Sequence, residues 1–362
     1  MRGSGKASGG VTLRQLAEQL GLSQTTVSRA LNGFPEVSET TRVRVVEAAR
    51  RLDYRPSASA ASLATGRTSV IGNVVTLDDG VVIDPHLSEF QAGVGEGCAR
   101  YGYDLLTRVS TRDGEAAAYR DLASRGKVDG MVLHGPLVDE PRIEMLRALG
   151  LPFVVHGRGG GDSHHYTWLD VDNQSAFGRA TEFLLGLGHR RIALLNGLEV
   201  FHFAACRLRG YRAALGAAGI EVDPQLIFSD QLLEPYGYRR MRDMLMLSNA
   251  PTAILCASVL TALGVARGLH EAGLQPGRDV SVVAFDDDLS FLHPSSRCEV
   301  PYFTCMRSSI RAAGRRVAQL LIEAIMRPDA PPPSELWESE MVVGRSTGPF
   351  RPLPRRGDGQ RG

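Results

Sequence analysis

The sequence predicts an all-α helix-turn-helix headpiece followed by an α/β core built as two parallel-sheet lobes. Three observations carry this. Residues 11–56 show helical apolar spacing interrupted by a glycine. From Val70 onward, short apolar runs alternate with amphipathic stretches. The charge is also divided: residues 1–68 hold ten Lys/Arg against five Asp/Glu, whereas the rest of the chain holds 31 against 35. A basic front on a mildly acidic body fits a nucleic-acid-binding module joined to a larger domain.

Bulk properties narrow the class. A chain of 362 residues has room for two or three domains, and 43% hydrophobic with 22% charged residues describes a globular protein in water. No apolar run approaches the roughly 18–20 residues of a membrane span. The start, "MRGSGKASGG", lacks the apolar stretch of a secretory signal. It is expected to be a disordered tail (1–10), as is the end (349–362). Five scattered cysteines (Cys98, Cys206, Cys256, Cys298, Cys305) form no CxxC pair. Buried thiols in a reducing cytoplasm are expected, with no metal site, no cofactor and no membrane partner.

The elements follow in order. In "VTLRQLAEQLG", Thr12 and Gln15 make a capping box; Leu13, Leu16, Ala17 and Leu20 recur at helical spacing, and Gly21 stops the helix. Ser23 caps a second helix after a tight turn. Its Val27, Ala30 and Leu31 form an apolar stripe, whereas Thr25, Ser28 and Arg29 point the other way and Gln24 sits at the exposed start. Ser38 caps a third helix whose Val45, Val46, Ala49 and Leu52 close a small core, ended by Arg55-Pro56.

The polar face of the second helix lacks carboxylates, which would repel phosphate. Short donors and acceptors with one guanidinium suit base edges in a major groove. Hydroxyls at helix starts (Thr12, Ser23, Thr26, Ser38) can hold phosphates together with the backbone N–H groups there. A small helical domain with a Ser/Thr-rich surface would present the same residues. Residues 57–69 are weakly apolar apart from Leu63. They form either a flexible tether or a short helix that wedges Leu63 into a minor-groove base step.

"VTLRQLAEQLGLSQTTVSRALNGFPEVSETTRVRVVEAARRLDYRP", followed by "SLATGRTSVIG", resembles the lactose-repressor (LacI-type) family of bacterial transcription regulators. The likeness is dense over residues 11–72 and continues in weaker blocks to about residue 347. It implies that Gln24, Thr25 and Arg29 read bases. It implies that Thr12, Ser23, Thr26, Ser28, Asn32, Ser38 and Tyr54 hold the DNA backbone or orient the helix, with Leu63 as the hinge wedge. The implied partners are a palindromic double-stranded operator, a second copy of the chain in a homodimer, and a small-molecule effector, most simply a sugar. No enzymatic activity is implied.

In the body, "VIGNVV", "GMVLH", "PFVVH", "RIALLN", "AILCA" and "VSVVAF" are strands between helices such as "QSAFGRATEFLLGLGH". Repeated βα units give parallel sheets covered on both faces. About 280 residues exceed one comfortable sheet, so two similar lobes are expected. The resemblance implies a periplasmic-binding-protein-like core (70–348) in which the chain crosses between lobes near Val171, Pro301 and Pro332. The N-lobe would then hold about 70–170 and 301–332, and the C-lobe 171–300 and 333–348. Ligands bind at the C-terminal ends of such strands, in the cleft.

For the effector, the resemblance points to Arg207 and Asp286, a pair suited to the hydroxyls of a sugar. Salt-bridged surface or hinge positions would serve the same two residues equally well. Ser258 stands where many relatives have Asn, and His156-Gly157-Arg158 where they have Asp-Arg. "VVHGR" and "WLDVDNQSAFGRA" look most like regulators of α-glucoside uptake. Trp168 is placed either against a sugar face or in the core. The rival reading is a cytoplasmic sugar-binding α/β protein with no role on DNA. Other motifs carry no chemistry: "GVGEGC" lies inside a helix, "GRGGG" lacks a Lys-Ser/Thr, and Asp286-Asp287-Asp288 and His164-His165 have no spaced partners.

Overall fold

The computed structural model describes residues 11–31, 34–54, 66–76, 84–124, 126–159, 165–292 and 300–352. Asn32, Leu63, Cys298, His164 and the first ten residues lie outside them. The chain divides into two compact units, Met1–Thr68 and Ser69–Gly362.

The first unit contains α1 (Leu13–Leu20), α2 (Gln24–Leu31) and α3 (Glu39–Arg51). Thr12 closes the capping box: its backbone N–H donates to Gln15 Oε1 at 2.8 Å, and its hydroxyl accepts from Gln15 N–H at 3.3 Å. Gly21 takes φ +66°, the left-handed cap that a side chain would strain. Ser23 and Ser38 accept from the N–H groups of Thr26 and Thr41, three residues on in each case. Leu16, Ala17, Leu20, Val27, Ala30, Val37, Val45, Ala48 and Ala49 meet in one buried cluster.

The second unit contains two six-stranded sheets. Its elements are β1 (Val70–Thr76), α4 (Pro85–Arg100), β2 (Asp104–Ser110), α5 (Glu115–Ser124), β3 (Gly130–His134), α6 (Pro141–Ala148), β4 (Phe153–His156) and β5 (Thr167–Val171). Then come α7 (Asn173–Gly186), β6 (Ile192–Asn196), α8 (His202–Ala217), β7 (Ile227–Ser229), α9 (Glu234–Leu245), β8 (Ala253–Cys256), α10 (Val259–Glu271) and β9 (Ser281–Asp286). The chain closes with β10 (Thr304–Arg307), α11 (Ile310–Met326), β11 (Ser334–Trp337) and β12 (Glu340–Val342). The N-lobe sheet runs β11-β5-β4-β3-β1-β2 and is parallel throughout. The C-lobe sheet runs β12-β10-β9-β8-β6-β7, and of these described strands β12 alone is antiparallel.

Two expected crossings are corrected. The chain does leave the first sheet after Val171, but Pro301 marks no crossing, because β10 still pairs with β9 and the chain crosses only after Arg307. Pro332 marks none either: β11 pairs with β5 of the N-lobe, so the crossing falls between Trp337 and Glu340. Proline lacks an N–H and often precedes a strand; here both prolines do that. The end is corrected too. The Phe350 N–H donates to Leu187 C=O at 2.8 Å, so described structure runs past residue 348.

Glycines set how closely helices approach. In α9 and α10, a Cβ on Gly237 would overlap the Thr261 carbonyl and one on Gly264 the Glu234 carbonyl. Gly237→Ala is expected to cost about 1–3 kcal/mol through overpacking, read calorimetrically as a fall in Tm of about 3–10 °C. An unchanged Tm would mean that the helix pair tolerates separation.

Candidate functional site

On α2, the side chains of Gln24, Thr25 and Arg29 are exposed, whereas Val27 and Ala30 on the opposite side are buried. The helix carries no acidic residue. Ser23 and Thr26 share a hydroxyl contact of 2.8 Å at its start, as Ser38 and Thr41 do at 2.9 Å on α3. Ser28 is half-buried, and Tyr54 packs partly against the headpiece core. Burial raises the Tyr54 phenol, which keeps it a neutral donor.

In the core unit, the C-terminal ends of the two sheets face one another. Arg207 on α8 is buried there, 5% exposed. Its Nε donates to Asn173 Oδ1 at 2.8 Å and its Nη1 to Ala257 C=O at 2.7 Å. The guanidinium lies 4.1 Å from the Phe285 ring centre, 4.9 Å from Phe203 and 5.0 Å from Phe177. Burial lowers its pKa to about 10, still charged at neutral pH. Asp287, also buried, contributes to the field at Arg207. Burial pushes its carboxyl up, against the pull of His86 and Arg207.

The N-lobe reaches into the same place. His86, in the first turn of α4, sets Nε2 3.0 Å from Ser258 Oγ and 3.4 Å from Asp287 Oδ2, both in the C-lobe. Its Nδ1 lies 3.1 Å from Asp84 Oδ1. Ser290 Oγ donates to Glu89 Oε2 across the lobes at 2.8 Å. On another side the join is main chain: Val138 N–H donates to Val200 C=O at 2.9 Å and His202 N–H to Pro136 C=O at 3.0 Å, around a Leu137–Phe201 bridge. Beneath, His134 and His156 place their Nδ1 atoms 2.8 Å apart and stack with Phe90. Burial depresses His134 to about 4 and His156 well below its ordinary value. The pair is therefore neutral, with one ring donating to the other.

Two expected effector residues have partners of their own. Asp286 Oδ2 accepts from Arg307 Nε at 3.0 Å and Oδ1 accepts from Asp288 N–H at 2.9 Å, so it is tied to β10. Phe285 packs on the α7/α8 face with Val283, and Asp286, the last residue of β9, alternates to the other face. Trp168 is buried with Met131, Val155 and Tyr166 in the N-lobe core, under the Arg158 guanidinium at 5.1 Å. Arg207 and Ser258 do come together at the cleft. Sequence reasoning missed His86, Asn173 and the Phe177, Phe203 and Phe285 rings; of these, only the rings' strand and helix parity was a usable signal. A buried cation, a buried carboxylate, an imidazole and apolar ring faces suit a polyhydroxylated ligand. Among the described residues, no group of three or more His, Cys, Asp or Glu side chains could hold a metal, and none of the described helices is long and apolar enough to cross a membrane.

Both units of the chain match known families. Residues 12–57 match the model of bacterial regulatory proteins of the lacI family, and residues 181–347 match a periplasmic binding protein-like domain. The chain is 45% identical over 347 residues to the HTH-type transcriptional regulator AglR of Rhizobium meliloti (strain 1021), covering 95% of this chain and 97% of that one. It is 31% identical to the HTH-type transcriptional regulator CelR of Thermobifida fusca, with 92% and 98% covered. Among solved structures, a transcriptional regulator CelR-cellobiose complex aligns with TM-score 0.67 at 30% identity, covering 93% and 99%. The lac repressor dimer bound to operator and the anti-inducer ONPF aligns with TM-score 0.78 at 26% identity, covering 94% and 100%. With the headpiece, the two-lobed core and a near-full-length relative at that identity in agreement, the chain belongs to the lacI family of bacterial regulatory proteins, transcription regulators and not enzymes.

Proposed function

We propose that the protein is a cytoplasmic repressor of sugar-uptake or sugar-catabolism genes that binds a palindromic operator as a homodimer and is released by a glucose disaccharide. Gln24, Thr25 and Arg29 read bases; Thr12, Ser23, Thr26, Ser28, Ser38 and Tyr54 hold the DNA backbone. Arg207, Asp287, Ser258 and Asn173 hold the sugar hydroxyls, and Phe203 and Phe285 bound the apolar ring face. The observation that carries this reading is the buried Arg207, whose two bonded partners and three aromatic neighbours form a polar floor at the mouth of both sheets. The cellobiose in the CelR structure and the operator in the lac repressor structure support the ligand class and the twofold DNA partner.

Two or three bidentate base contacts in one headpiece discriminate weakly, at about 1–3 kcal/mol each, so twofold symmetry is needed for tight binding. Reversing the bound population from 99:1 to 1:99 requires about 5.5 kcal/mol of differential affinity, within reach of a buried disaccharide. The test is fluorescence anisotropy with the chain's own upstream promoter and a scrambled duplex, with and without maltose, sucrose, trehalose or cellobiose. The expected result is at least about 1,000-fold preference for the promoter, weakened at least tenfold by one of the sugars. No preference for any duplex at moderate salt, liganded or free, would overturn the reading.

A further inference from the structure

Every bond that His86 makes leaves its ring pointing into the cleft: to Asp84 in its own lobe, to Ser258 and Asp287 in the other. The side chain is only 12% exposed. Two carboxylates lie at 3.1 and 3.4 Å from opposite ring nitrogens, and the imidazolium is the form that donates to both. We propose that the interlobe cleft binds a proton as a second ligand, taken up on His86, and that this proton fastens the N-lobe to the C-lobe through Asp84 and Asp287.

The charged surroundings agree. Burial lowers the His86 pKa, but the hydrogen bond to Asp84 and the charges of Asp287 and Asp84 outweigh it and the opposing Arg207, so the net displacement is upward. Burial raises Asp84, but its hydrogen bonds with His86 and the charge of that ring hold the carboxyl below its ordinary value. His134, the remaining titratable neighbour, stays neutral above about pH 4. The sign follows from linkage. A histidine whose pKa is raised in the closed form contributes closure fully below its open-state value, about 6.5, and loses it as pH rises through the closed-state value. Near-neutral pH therefore closes the cleft and alkaline pH releases it, and on the acid side the contact lasts until Asp287, whose carboxyl burial pushes up, takes a proton. A sugar that takes over Asp287 and Ser258 must displace the same contact, which makes proton and sugar rivals. That consequence rests on the effector site proposed above; the proton site itself does not.

The test uses the free full-length protein, with neither sugar nor DNA, so its failure is separate from failure of the proposed function. Hydrogen exchange by mass spectrometry reads the cross-lobe amides of Val138 and His202 at about pH 6.0 and 8.5, on either side of the imidazole's ordinary range, corrected for intrinsic exchange. Protection is expected to fall at least fivefold in the wild type and to be unchanged with pH in His86→Gln. Asp84→Asn, which keeps the imidazole, is expected to move the wild-type transition to lower pH. Equal pH dependence in the wild type and His86→Gln, or no dependence in the wild type, would overturn the proposal. If His86→Gln does not fold, an unshifted transition in Asp84→Asn overturns it alone.

Discussion

Arg29→Ala is expected to weaken operator binding by between about 30-fold and 20,000-fold while leaving binding to a scrambled duplex nearly intact. A bidentate guanidinium contact to guanine discriminates by about 1–3 kcal/mol. A homodimer makes it twice, and every 1.4 kcal/mol is about tenfold. The residue is exposed in the last turn of α2, on a helix with no acidic residue, so its removal leaves the headpiece core untouched. A phosphate contact would behave differently. It would weaken both duplexes alike and reduce the salt slope by about one per lost charge. Anisotropy titrations of both duplexes at several salt concentrations separate the two, and equal losses would remove Arg29 from the base-reading set.

Arg207→Ala is expected to abolish the response to sugar, with effector affinity lower by more than about 100-fold, and to leave operator binding in place. Truncation removes the donors to Asn173 Oδ1 and the Ala257 carbonyl, and it takes away one of the two cationic groups near Asp287. Removing one partner from a buried charged group costs about 3–5 kcal/mol. Part of that loss is stability, because three aromatic rings also lose their packing partner. Arg207→Lys keeps the charge but not the planar fork, and is expected to recover most of the Tm and little of the sugar response. Calorimetry and operator titration together decide. If alanine and lysine variants lose sugar and operator binding in parallel, Arg207 is a folding residue.

Much of the fold could be read locally. The Thr12–Gln15 box, the Gly21 stop and the Ser23 and Ser38 caps all involve residues within four positions of each other, where a single sequence is most informative. Alternating apolar runs likewise marked most strands. Of the three expected crossings, those near Pro301 and Pro332 fall several residues later, because each proline leads into one more strand of the lobe being left. At the cleft, Asp287 was hidden by its neighbour. Three consecutive aspartates look alike in the sequence; in the structure Asp286 accepts from Arg307, whereas the buried Asp287 contributes to the field at Arg207. His86 had no local signal at all. Its partners Ser258 and Asp287 lie far along the chain and in the other lobe, so only the three-dimensional join discloses it.

The main-chain clasp between Pro136–Val138 and Val200–His202 bears on how such a regulator can diverge. Amide-to-carbonyl bonds form whatever side chains the two loops display, apart from proline at a donor. Side chains on the cleft floor can thus change while this main-chain join keeps its geometry.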